Sequence, residues 1–368
     1  MWDLVVVGAG PAGACAARAA AEGGVQTLLV DRAELPRYKR CGGGLLGIAR
    51  GVGGIDLAPI LRSRVTSVSA TWDGRYGWTR SVDEPLVAMV MRSDFDARLV
   101  EAAQVAGAAL RTGVLVTGAD VADGSVTLTV RGGESIHTRH VIAADGVSSR
   151  LAAAIGVRCD QVDLGLEGEF AASPAQQREW DGRLLIDWGP VPGSYGWVFP
   201  KGDVLTVGVI GSVDRSEALR RYYAALVGRL SLTEPLVTGG HRTRVRAADS
   251  PLVSTDGRIL AVGDAAGWLE PWTREGISFA LRSGRLAGEA VAAGDPQRYA
   301  RSALAVLAPE VAAGQRVLRA YTRYPGVFHA AMWSPPGWRE FRKNLDGSAS
   351  LATLVRRAPV RAVLGALR

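Results

Sequence analysis

The chain has 368 residues, enough for two substructures that share or divide a hydrophobic core. Its three cysteines cannot all pair and lack the spacing of metal ligands, and no apolar run is long enough for a transmembrane helix. The net charge of +7 suits acidic substrates or anionic membranes, or equally a surface of scattered arginines. No basic run interleaved with aromatic residues indicates nucleic-acid binding. Because a strand starts almost at Met1, no signal peptide is expected, and a cytoplasmic location with reduced thiols is predicted.

The N-terminal segment has the pattern of strand, glycine turn, helix and strand. The apolar run Leu4–Val7 leads into Gly8–Gly13, an alanine-rich helix continues to Glu22, and a second strand, Thr27–Val30, ends at Asp31. This order and spacing fit the fingerprint of dinucleotide-binding folds, which combines a turn, a helix N-terminus and an acid.

Each part of this fingerprint has a physical task. Gly8 permits the tight turn, Gly10 lets the backbone approach a pyrophosphate, and Gly13 lets the helix pack close to the strand. The helix N-terminus offers free N–H groups and the positive end of its dipole to phosphates. Asp31 can accept hydrogen bonds from a ribose. The segment is therefore predicted to hold the adenosine diphosphate portion of a cofactor.

Strands and helices alternate through the next hundred or so residues of the chain. Short alternating runs such as Val65–Val68 predict strands, and Arg92–Asp96 precedes an amphipathic helix. Ser125–Val130 belongs to a predicted strand pair, and a later strand ends in Asp145-Gly146.

The middle of the chain is richer in strands and tryptophan. Arg183–Trp188, Tyr195–Phe199 and Val204–Ile210 are predicted to be neighbouring antiparallel strands. A buried-type strand, Arg258–Val262, opens onto Gly263-Asp264, and a long helix and a helical C-terminal third follow.

Three glycine–acid signals thus stand in order: Gly8–Gly13 with Asp31, then Asp145-Gly146, then Gly263-Asp264. This order resembles the FAD-dependent oxidoreductases that include aromatic hydroxylases, flavin halogenases and geranylgeranyl reductases. The resemblance implies that Asp264 bonds ribityl or ribose oxygens and that the following helix points its N-terminus at the flavin pyrimidine edge. Arg92 resembles the arginine that starts a helix contacting the flavin chain.

Two further segments resemble the geranylgeranyl reductase family in particular. Residues 39–45, which read Lys-Arg-Cys-Gly-Gly-Gly-Leu, look like its cysteine–triple-glycine segment, and residues 192–200 match its P-x-x-Y-x-W-x-F-P motif. Tyr195, Trp197 and Phe199 alternate along one strand and therefore face one side, which suits an isoprenoid chain. The same alternation also fits ordinary core packing.

The resemblance covers most of residues 1–290 and implies an α/β fold. A Rossmann-type FAD-binding domain would carry an inserted antiparallel-sheet substrate domain and a helical C-terminal region. The expected bounds are 1–60, 90–155 and 251–295 for the FAD-binding domain, 61–89 and 156–250 for the substrate-binding domain, and 296–368 for the helical region.

The expected cofactor is FAD, held at fingerprint and family positions. These positions are Gly8, Gly10, Pro11, Ala12, Gly13, Asp31, Arg32, Cys41, Gly42, Gly43, Arg92, Asp145, Gly263, Asp264, Gly276 and Ile277. The expected substrate contacts are Tyr195, Trp197, Phe199, Trp272 and Arg274, and the catalytic candidates are Cys41, Tyr195 and Trp197. Cys41 either lies over the flavin and controls proton delivery or is an inert residue entering a glycine turn. No metal site is expected.

Residue 274 departs from the family, which often has glycine before Glu275-Gly276 where this chain has arginine. The Arg274 side chain could shrink the pocket, recruit an anionic group or point to solvent. This departure leaves the exact substrate open.

The main hypothesis is a reductase in which reduced flavin delivers hydride to an isoprenoid C=C bond of a prenyl lipid or prenylated quinone. The alternatives are a flavin monooxygenase or halogenase acting on a small aromatic metabolite, and a flavoprotein that only binds a partner. Tyr195 and Phe199 depart from the W-x-W-x-I-P motif of halogenases. No second G-x-G-x-x-G is visible, so the electron donor, NAD(P)H or ferredoxin, stays open, as does the oligomeric state.

The tail, residues 351–368, has a basic amphipathic pattern broken at Pro359. Leu351, Leu354 and Val355 share one helical face. The neighbouring basic residues are Arg356, Arg357, Arg361 and Arg368. The pattern predicts peripheral contact with anionic membranes or, alternatively, packing on the protein's own surface.

Overall fold

The computed structural model describes residues 1–366, except for the side chains at positions 48, 50, 52, 359 and 366. Its strands are β1 (Trp2–Val7), β2 (Thr27–Val30), β3 (Gly44–Leu46), β4 (Leu61–Val65), β5 (Ser67–Trp72), β6 (Arg75–Ser81), β7 (Val87–Val90), β8 (Ala109–Arg111), β9 (Val116–Ala122), β10 (Ser125–Val130), β11 (Ser135–Ala143), β12 (Cys159–Ala171), β13 (Arg183–Trp188), β14 (Tyr195–Pro200), β15 (Val204–Ser212), β16 (Val237–Arg246) and β17 (Ile259–Ala261). Its helices are α1 (Pro11–Glu22), α2 (Gly47–Val52), α3 (Arg92–Val105), α4 (Arg150–Ala154), α5 (Pro174–Trp180), α6 (Ser216–Arg229), α7 (Ile277–Ala292), α8 (Pro296–Arg323), α9 (Pro325–Trp333), α10 (Pro335–Asp346), α11 (Leu351–Leu354) and α12 (Ala358–Ala366).

The first sheet contains β1 and β2, the two strands of the predicted dinucleotide-binding fingerprint. Its order is β8-β2-β1-β11-β10-β9, with β17 beside β11, and the pairs among β8, β2, β1, β11 and β17 are parallel. Leu4, Val5, Val6 and Val7 of β1 are buried because α1 covers one face and other strands and loops the other.

Register brings the three glycine–acid signals to one edge of this sheet. Val7 pairs with both Val30 and Ala143, and Ala143 pairs with Ala261. Parallel strands therefore end side by side, and Asp31, Asp145 and Asp264 follow three of these ends. This edge is where open α/β sheets bind ligands.

The second sheet has the order β16-β12-β15-β14-β13-β5-β6 and is antiparallel except between β13 and β5. Helix α6 packs on one face through Leu219, Tyr222 and Leu226, which contact the buried Val198 and Val207. The opposite face is directed toward the interior of the molecule. The antiparallel neighbours β13, β14 and β15 are those expected from the sequence.

A third sheet, β3-β7-β4, has three antiparallel strands and was not expected from the sequence. It lies beside the cluster in which the C-terminal helices pack against β5 and β13. That cluster includes Trp188, Trp272, Tyr321, Phe328 and Phe341.

The expected elements differ from the observed ones mainly in extent. Helix α3 begins at Arg92 itself, because Arg92 bonds Asp96 one helical turn later. Strand β17 is shorter than the expected strand Arg258–Val262. The strand expected just before Asp145-Gly146 is β11, which runs over Ser135–Ala143.

The C-terminal tail packs on the protein. Leu351, Leu354 and Val355 are 7%, 3% and 4% exposed, and Leu351 and Val355 belong to the same cluster as Trp188 and Phe328. Their apolar face is thus covered, which favours the second interpretation of the tail. Arg368 lies outside the described residues. Within residues 1–366 no helix combines the length and the apolar character needed to cross a membrane.

Candidate functional site

One cavity of about 910 Å³ runs from the strand ends of the first sheet to the inner face of the second. The expected cofactor contacts that line it are Gly8, Gly10, Pro11, Ala12, Asp31, Arg32, Cys41, Gly42, Gly43, Arg92, Asp145, Asp264, Gly276 and Ile277. The expected substrate contacts that line it are Tyr195, Trp197, Phe199, Trp272 and Arg274. The structure thus brings both expected sets together in a single space.

Gly13 and Gly263 are the members of the expected cofactor set that pack beneath the cavity. A Cβ on Gly13 would overlap the carbonyl oxygen of Gly8, and one on Gly263 would lie 2.8 Å from Ala12 Cβ. Gly8 itself has a φ of +106°, a backbone conformation that favours glycine. These residues let helix α1 approach β1 closely.

Gly10 is different, because its backbone is extended and its Cα faces open space. The atom nearest to a Cβ placed there would be Arg37 Nη2, at 3.6 Å. The protein alone therefore has room for a side chain at residue 10. This open flank beside the N-terminus of α1 is what the predicted approach of a pyrophosphate to residue 10 requires.

Asp31 is 6% exposed and organises the turn around it. Its Oδ2 accepts a hydrogen bond from Ala9 N–H at 2.8 Å, and its Oδ1 accepts one from Ala33 N–H at 2.9 Å. Because each carboxylate oxygen accepts more than one bond, both can still accept from a ribose.

Arg37 and Asp96 also lie at this end of the site. Asp96 belongs to the segment Arg92–Asp96 that the sequence analysis singled out, whereas Arg37 falls in no motif. Arg37 Nη1 lies 3.3 Å from Asp96 Oδ2, and Arg37 Nε lies 3.8 Å from Asp31 Oδ2. Asp96 also accepts two bonds from Arg92, at 2.8 and 2.9 Å. Burial lowers the pKa of Arg92, but Asp96 and Cys41 together raise it by more. The net pKa is therefore above the usual value, and Arg92 stays charged. Two guanidinium groups are thus fixed beside the glycine turn.

The aromatic wall, defined as Tyr195, Trp197 and Phe199, lies at the far end of the cavity. Neighbouring ring centroids are 6.0 and 6.1 Å apart along β14. Gly196 and Val198 face α6 on the opposite side, as alternation predicts. The wall borders the open cavity with its apolar rings.

The cysteine–glycine segment packs against this wall. A Cβ on Gly42 would lie 2.7 Å from the ring of Phe199, and one on Gly43 would lie 3.1 Å from Lys201 Nζ. Cys41 Sγ accepts a hydrogen bond from Gly43 N–H at 3.5 Å. Cys41 therefore lies where the cofactor end of the cavity meets the aromatic end.

Of the three alternatives for Arg274, the structure excludes a side chain that points to solvent. Its side chain is 3% exposed and forms an ion pair with Asp163 of β12 at 3.2 Å. It also donates to the carbonyl oxygen of Trp272 at 2.7 Å. Residue 274 has a φ of +54°, which explains why glycine suits this position. Arg274 lines the cavity, and Asp163 balances its charge.

Trp272 borders the cavity from within the hydrophobic core. It is 3% exposed and stacks on Trp188 with the ring centroids 6.1 Å apart.

Burial raises the pKa of Tyr195 above its ordinary value, so the phenol at this end stays neutral. The Tyr195 hydroxyl donates to the carbonyl oxygen of Thr273.

Ionisable side chains lie beside the aromatic wall, and Lys39, Glu167 and His241 among them line the cavity. Lys39 Nζ lies 3.1 Å from His241 Nε2, and Lys201 Nζ lies 3.6 Å from Glu169 Oε1. Burial and the Lys39 ammonium lower the pKa of His241 to about 4, so this ring is neutral at pH 7. Glu167 lies on the same strand as Glu169 and lines the cavity. None of these residues except Lys39 falls in a motif.

No family model matches the chain, but sequence relatives are clear. It is 31% identical over 338 residues to the menaquinone reductase of Mycobacterium tuberculosis, covering 82% of this chain and 79% of that protein. It is 31% identical over 303 residues to digeranylgeranylglycerophospholipid reductase 2 of Methanosphaera stadtmanae, covering 78% and 76%. It is 30% identical to the chloroplastic geranylgeranyl diphosphate reductase of Oryza sativa subsp. japonica, but spans only 66% of that protein's length.

Solved structures share the fold over the full chain. A geranylgeranyl bacteriochlorophyll reductase-like protein from Thermoplasma acidophilum has a TM-score of 0.78 at 21% identity, covering 100% of this chain and 99% of that one. A flavin-dependent brominase has a TM-score of 0.75 at 18% identity, covering 99% and 97%. At such identities these likenesses show the α/β fold and not the reaction. The two relatives at 31% identity, matched over 79% and 76% of their length, show more: the chain belongs to the geranylgeranyl reductase family of FAD-dependent oxidoreductases.

Proposed function

We propose that this protein saturates C=C bonds in the isoprenoid chain of a prenyl lipid or prenylated quinone. The single observation that carries the proposal is the cavity that joins the glycine-lined strand ends to the aromatic wall. A reductase of this kind needs its cofactor and its apolar substrate in one space, and this cavity provides both surfaces.

The cofactor end fits FAD on features of the chain itself. The N-terminus of α1 leaves N–H groups free, Gly10 leaves its flank open, and Arg37 and Arg92 add positive charge. Asp31, Asp145 and Asp264 line the cavity at neighbouring strand ends and can accept bonds from hydroxyl groups. FAD, when reduced, supplies hydride.

The far end fits a hydrocarbon chain. Besides the aromatic wall, the apolar side chains of Val68, Leu184, Ile186 and Trp188 line this part of the cavity. An isolated alkene has no polar group that could accept or donate a hydrogen bond, and it is a weak electrophile. The shape of the cavity and the exclusion of water must therefore hold it in place. The buried, aromatic surface meets that need.

A halogenase or monooxygenase acting on a small aromatic metabolite is the second candidate, because a brominase shares the fold. Such a reaction consumes oxygen, whereas reduction of a C=C bond does not. Oxygen dependence therefore separates the two candidates.

The test is a single turnover without oxygen. Purified protein is photoreduced anaerobically and mixed with a prenyl lipid or prenylated quinone in detergent, and the lipid is extracted for mass spectrometry. We expect a gain of about 2 Da per saturated C=C bond, with return of the oxidised flavin spectrum. An unchanged lipid mass, together with product formed only from an aromatic substrate in the presence of oxygen, would favour the second candidate.

A further inference from the structure

A single row of residues crosses the second sheet from the aromatic wall to the ionisable side chains. Trp197 of β14 pairs with Gly208 of β15, Gly208 pairs with Glu167 of β12, and Glu167 pairs with Gly239 of β16. Residues directly opposite one another in an antiparallel sheet point to the same face. Glu167 and Trp197 therefore share the face that lines the cavity.

The two glycines of this row, Gly208 and Gly239, leave space on either side of Glu167. A Cβ on Gly208 would overlap the ring of Trp197, and a Cβ on Gly239 would overlap the guanidinium of Arg40. The Trp197 indole thus covers β15 at Gly208, and the Arg40 guanidinium covers β16 at Gly239. The carboxyl of Glu167 lies between an apolar surface and a cationic one.

The Glu167 carboxyl is buried and incompletely bonded. The residue is 6% exposed, and Oε1 has no hydrogen-bond partner among the described residues. A buried polar atom without a partner is costly, and it is expected to bond when its ligand is bound. The Lys201–Glu169 ion pair lies next along the strand.

We infer that Glu167 is the proton donor in the reduction of the C=C bond. This inference rests on the proposed function, because saturation needs a proton in addition to hydride. Glu167 transfers its proton to one alkene carbon, so its O–H bond breaks and the π electron pair forms the new C–H bond. The other carbon receives hydride from the bound reduced flavin, and the Glu167 carboxylate regains a proton from water.

The groups around Glu167 suit this role. Burial raises the pKa of Glu167 to about 7, Lys201 and Lys39 oppose this rise, and Glu169 adds to it. A general acid works best when its pKa lies near the working pH. The two ammonium groups stabilise the carboxylate that remains after transfer. A backbone hydrogen bond from Cys41 also lowers the pKa of Glu167. The other titratable or charged groups nearby are Tyr38, Arg40 and, on α6, Tyr223.

The first measurement does not depend on turnover. Infrared difference spectra of the FAD-loaded protein, wild type against Glu167→Gln, are recorded from about pH 5 to about pH 9. We expect a protonated-carboxyl C=O band that is present in wild type, absent from the variant and lost with a midpoint near pH 7. If no such band separates the two proteins, Glu167 does not hold the proton and the inference is wrong.

The second measurement is the anaerobic reoxidation of prereduced flavin by a prenyl lipid. Glu167→Gln is expected to bind FAD and to be photoreduced like wild type, but to be reoxidised roughly 100-fold or more slowly. Wild-type reoxidation should slow as the pH rises through about 7, and the variant should show no such step. Glu167→Asp should restore part of the rate, while Glu234→Gln, at an exposed carboxyl before β16, should match wild type.

The two proposals fail in distinguishable ways. Equal reoxidation rates in wild type and Glu167→Gln would overturn the proton-donor inference and leave the proposed function standing. If prenyl lipids do not reoxidise even the wild-type flavin, the proposed function fails and the inference falls with it.

Discussion

The two ends of the cavity are built in different ways. At the end proposed to hold FAD, here called the nucleotide end, the glycine turn, helix α1 and Asp31 lie within one short segment of the chain. At the far end, the surface consists of side chains from β12, β14 and β16 and from the 270–276 loop, which are far apart in the chain.

This difference indicates where the chemistry is decided. A flavin-dependent brominase shares the fold over nearly its full length, so the fold alone does not define the reaction. The reaction must therefore be defined by the side chains that line the far end. Substitutions at the two ends should therefore have different effects, on FAD binding at one end and on turnover or local stability at the other.

Replacing Gly10 with valine should abolish FAD binding while leaving the fold intact. The nearest atom to a Cβ at residue 10 is 3.6 Å away, so the side chain conflicts with a pyrophosphate and not with the protein. We expect colourless protein on purification, with the free energy of unfolding of the FAD-free form changed by less than about 1 kcal/mol. Flavin absorbance and chemical denaturation measure the two quantities.

Two controls frame this prediction. Gly228→Val, in α6 with no atom within 4 Å of the added Cβ, should keep its FAD. Gly13→Val should lose fold and FAD together, because its side chain would meet the backbone of Gly8. A Gly10→Val protein with stoichiometric FAD would contradict the account of this end.

Removing the acid from the Asp163–Arg274 pair should destabilise the far end. Asp163→Ala leaves a buried guanidinium without its partner, which costs about 3–5 kcal/mol. Adding Arg274→Gly removes that charge and suits the φ of +54°, so the double variant should recover most of the loss. Denaturation of the FAD-loaded proteins measures the coupling. Losses that simply add would show that the two residues act independently.

Truncating the aromatic wall should affect turnover and spare the cofactor. Trp197→Ala removes the ring that borders the cavity, and we expect prenyl-lipid turnover to fall roughly 10- to 100-fold with a normal flavin spectrum. Val198→Ala, on the opposite face, should cost about 2 kcal/mol of stability and leave turnover unchanged. If Trp197→Ala instead loses fold and flavin together, the strand is ordinary core.

The smallest effect is expected outside both ends, at the tail. Arg356→Glu with Arg361→Glu reverses two exposed charges without touching the buried face. An anchoring tail would lose more than tenfold in binding, at about 1 kcal/mol per basic residue. Because its apolar face is covered, we expect unchanged co-sedimentation with anionic vesicles at low salt. A tenfold loss would restore the membrane interpretation of the tail.

The sequence predicts the nucleotide end well because its parts are local. Gly8, Gly10, Gly13 and Asp31 are close in the chain, and their spacing carries the geometry. The alternation of Tyr195 to Phe199 likewise predicts a shared face, although only pairing shows that this face borders a cavity. The family resemblance, which rests on these motifs, is confirmed by the relatives.

The ionisable half of the far end depends on pairing between distant strands, which no local motif encodes. Glu167 meets Trp197 only because β15 lies between β12 and β14. One signal was nevertheless present. Asp163, Glu167 and Glu169 stand at odd-numbered positions of one strand, alternating with Leu164, Leu166 and Phe170. Acids that share one face of a strand whose other face is apolar indicate a functional interior.

The most direct test of the account is a crystal structure of the protein with FAD and a prenyl lipid. We expect the pyrophosphate against Gly10-Pro11-Ala12 and the isoprenoid chain against Tyr195, Trp197 and Phe199, with a C=C bond beside the Glu167 carboxyl. A chain bound instead in the separate cleft of about 390 Å³ near Trp72 and Tyr321, away from the flavin, would contradict it.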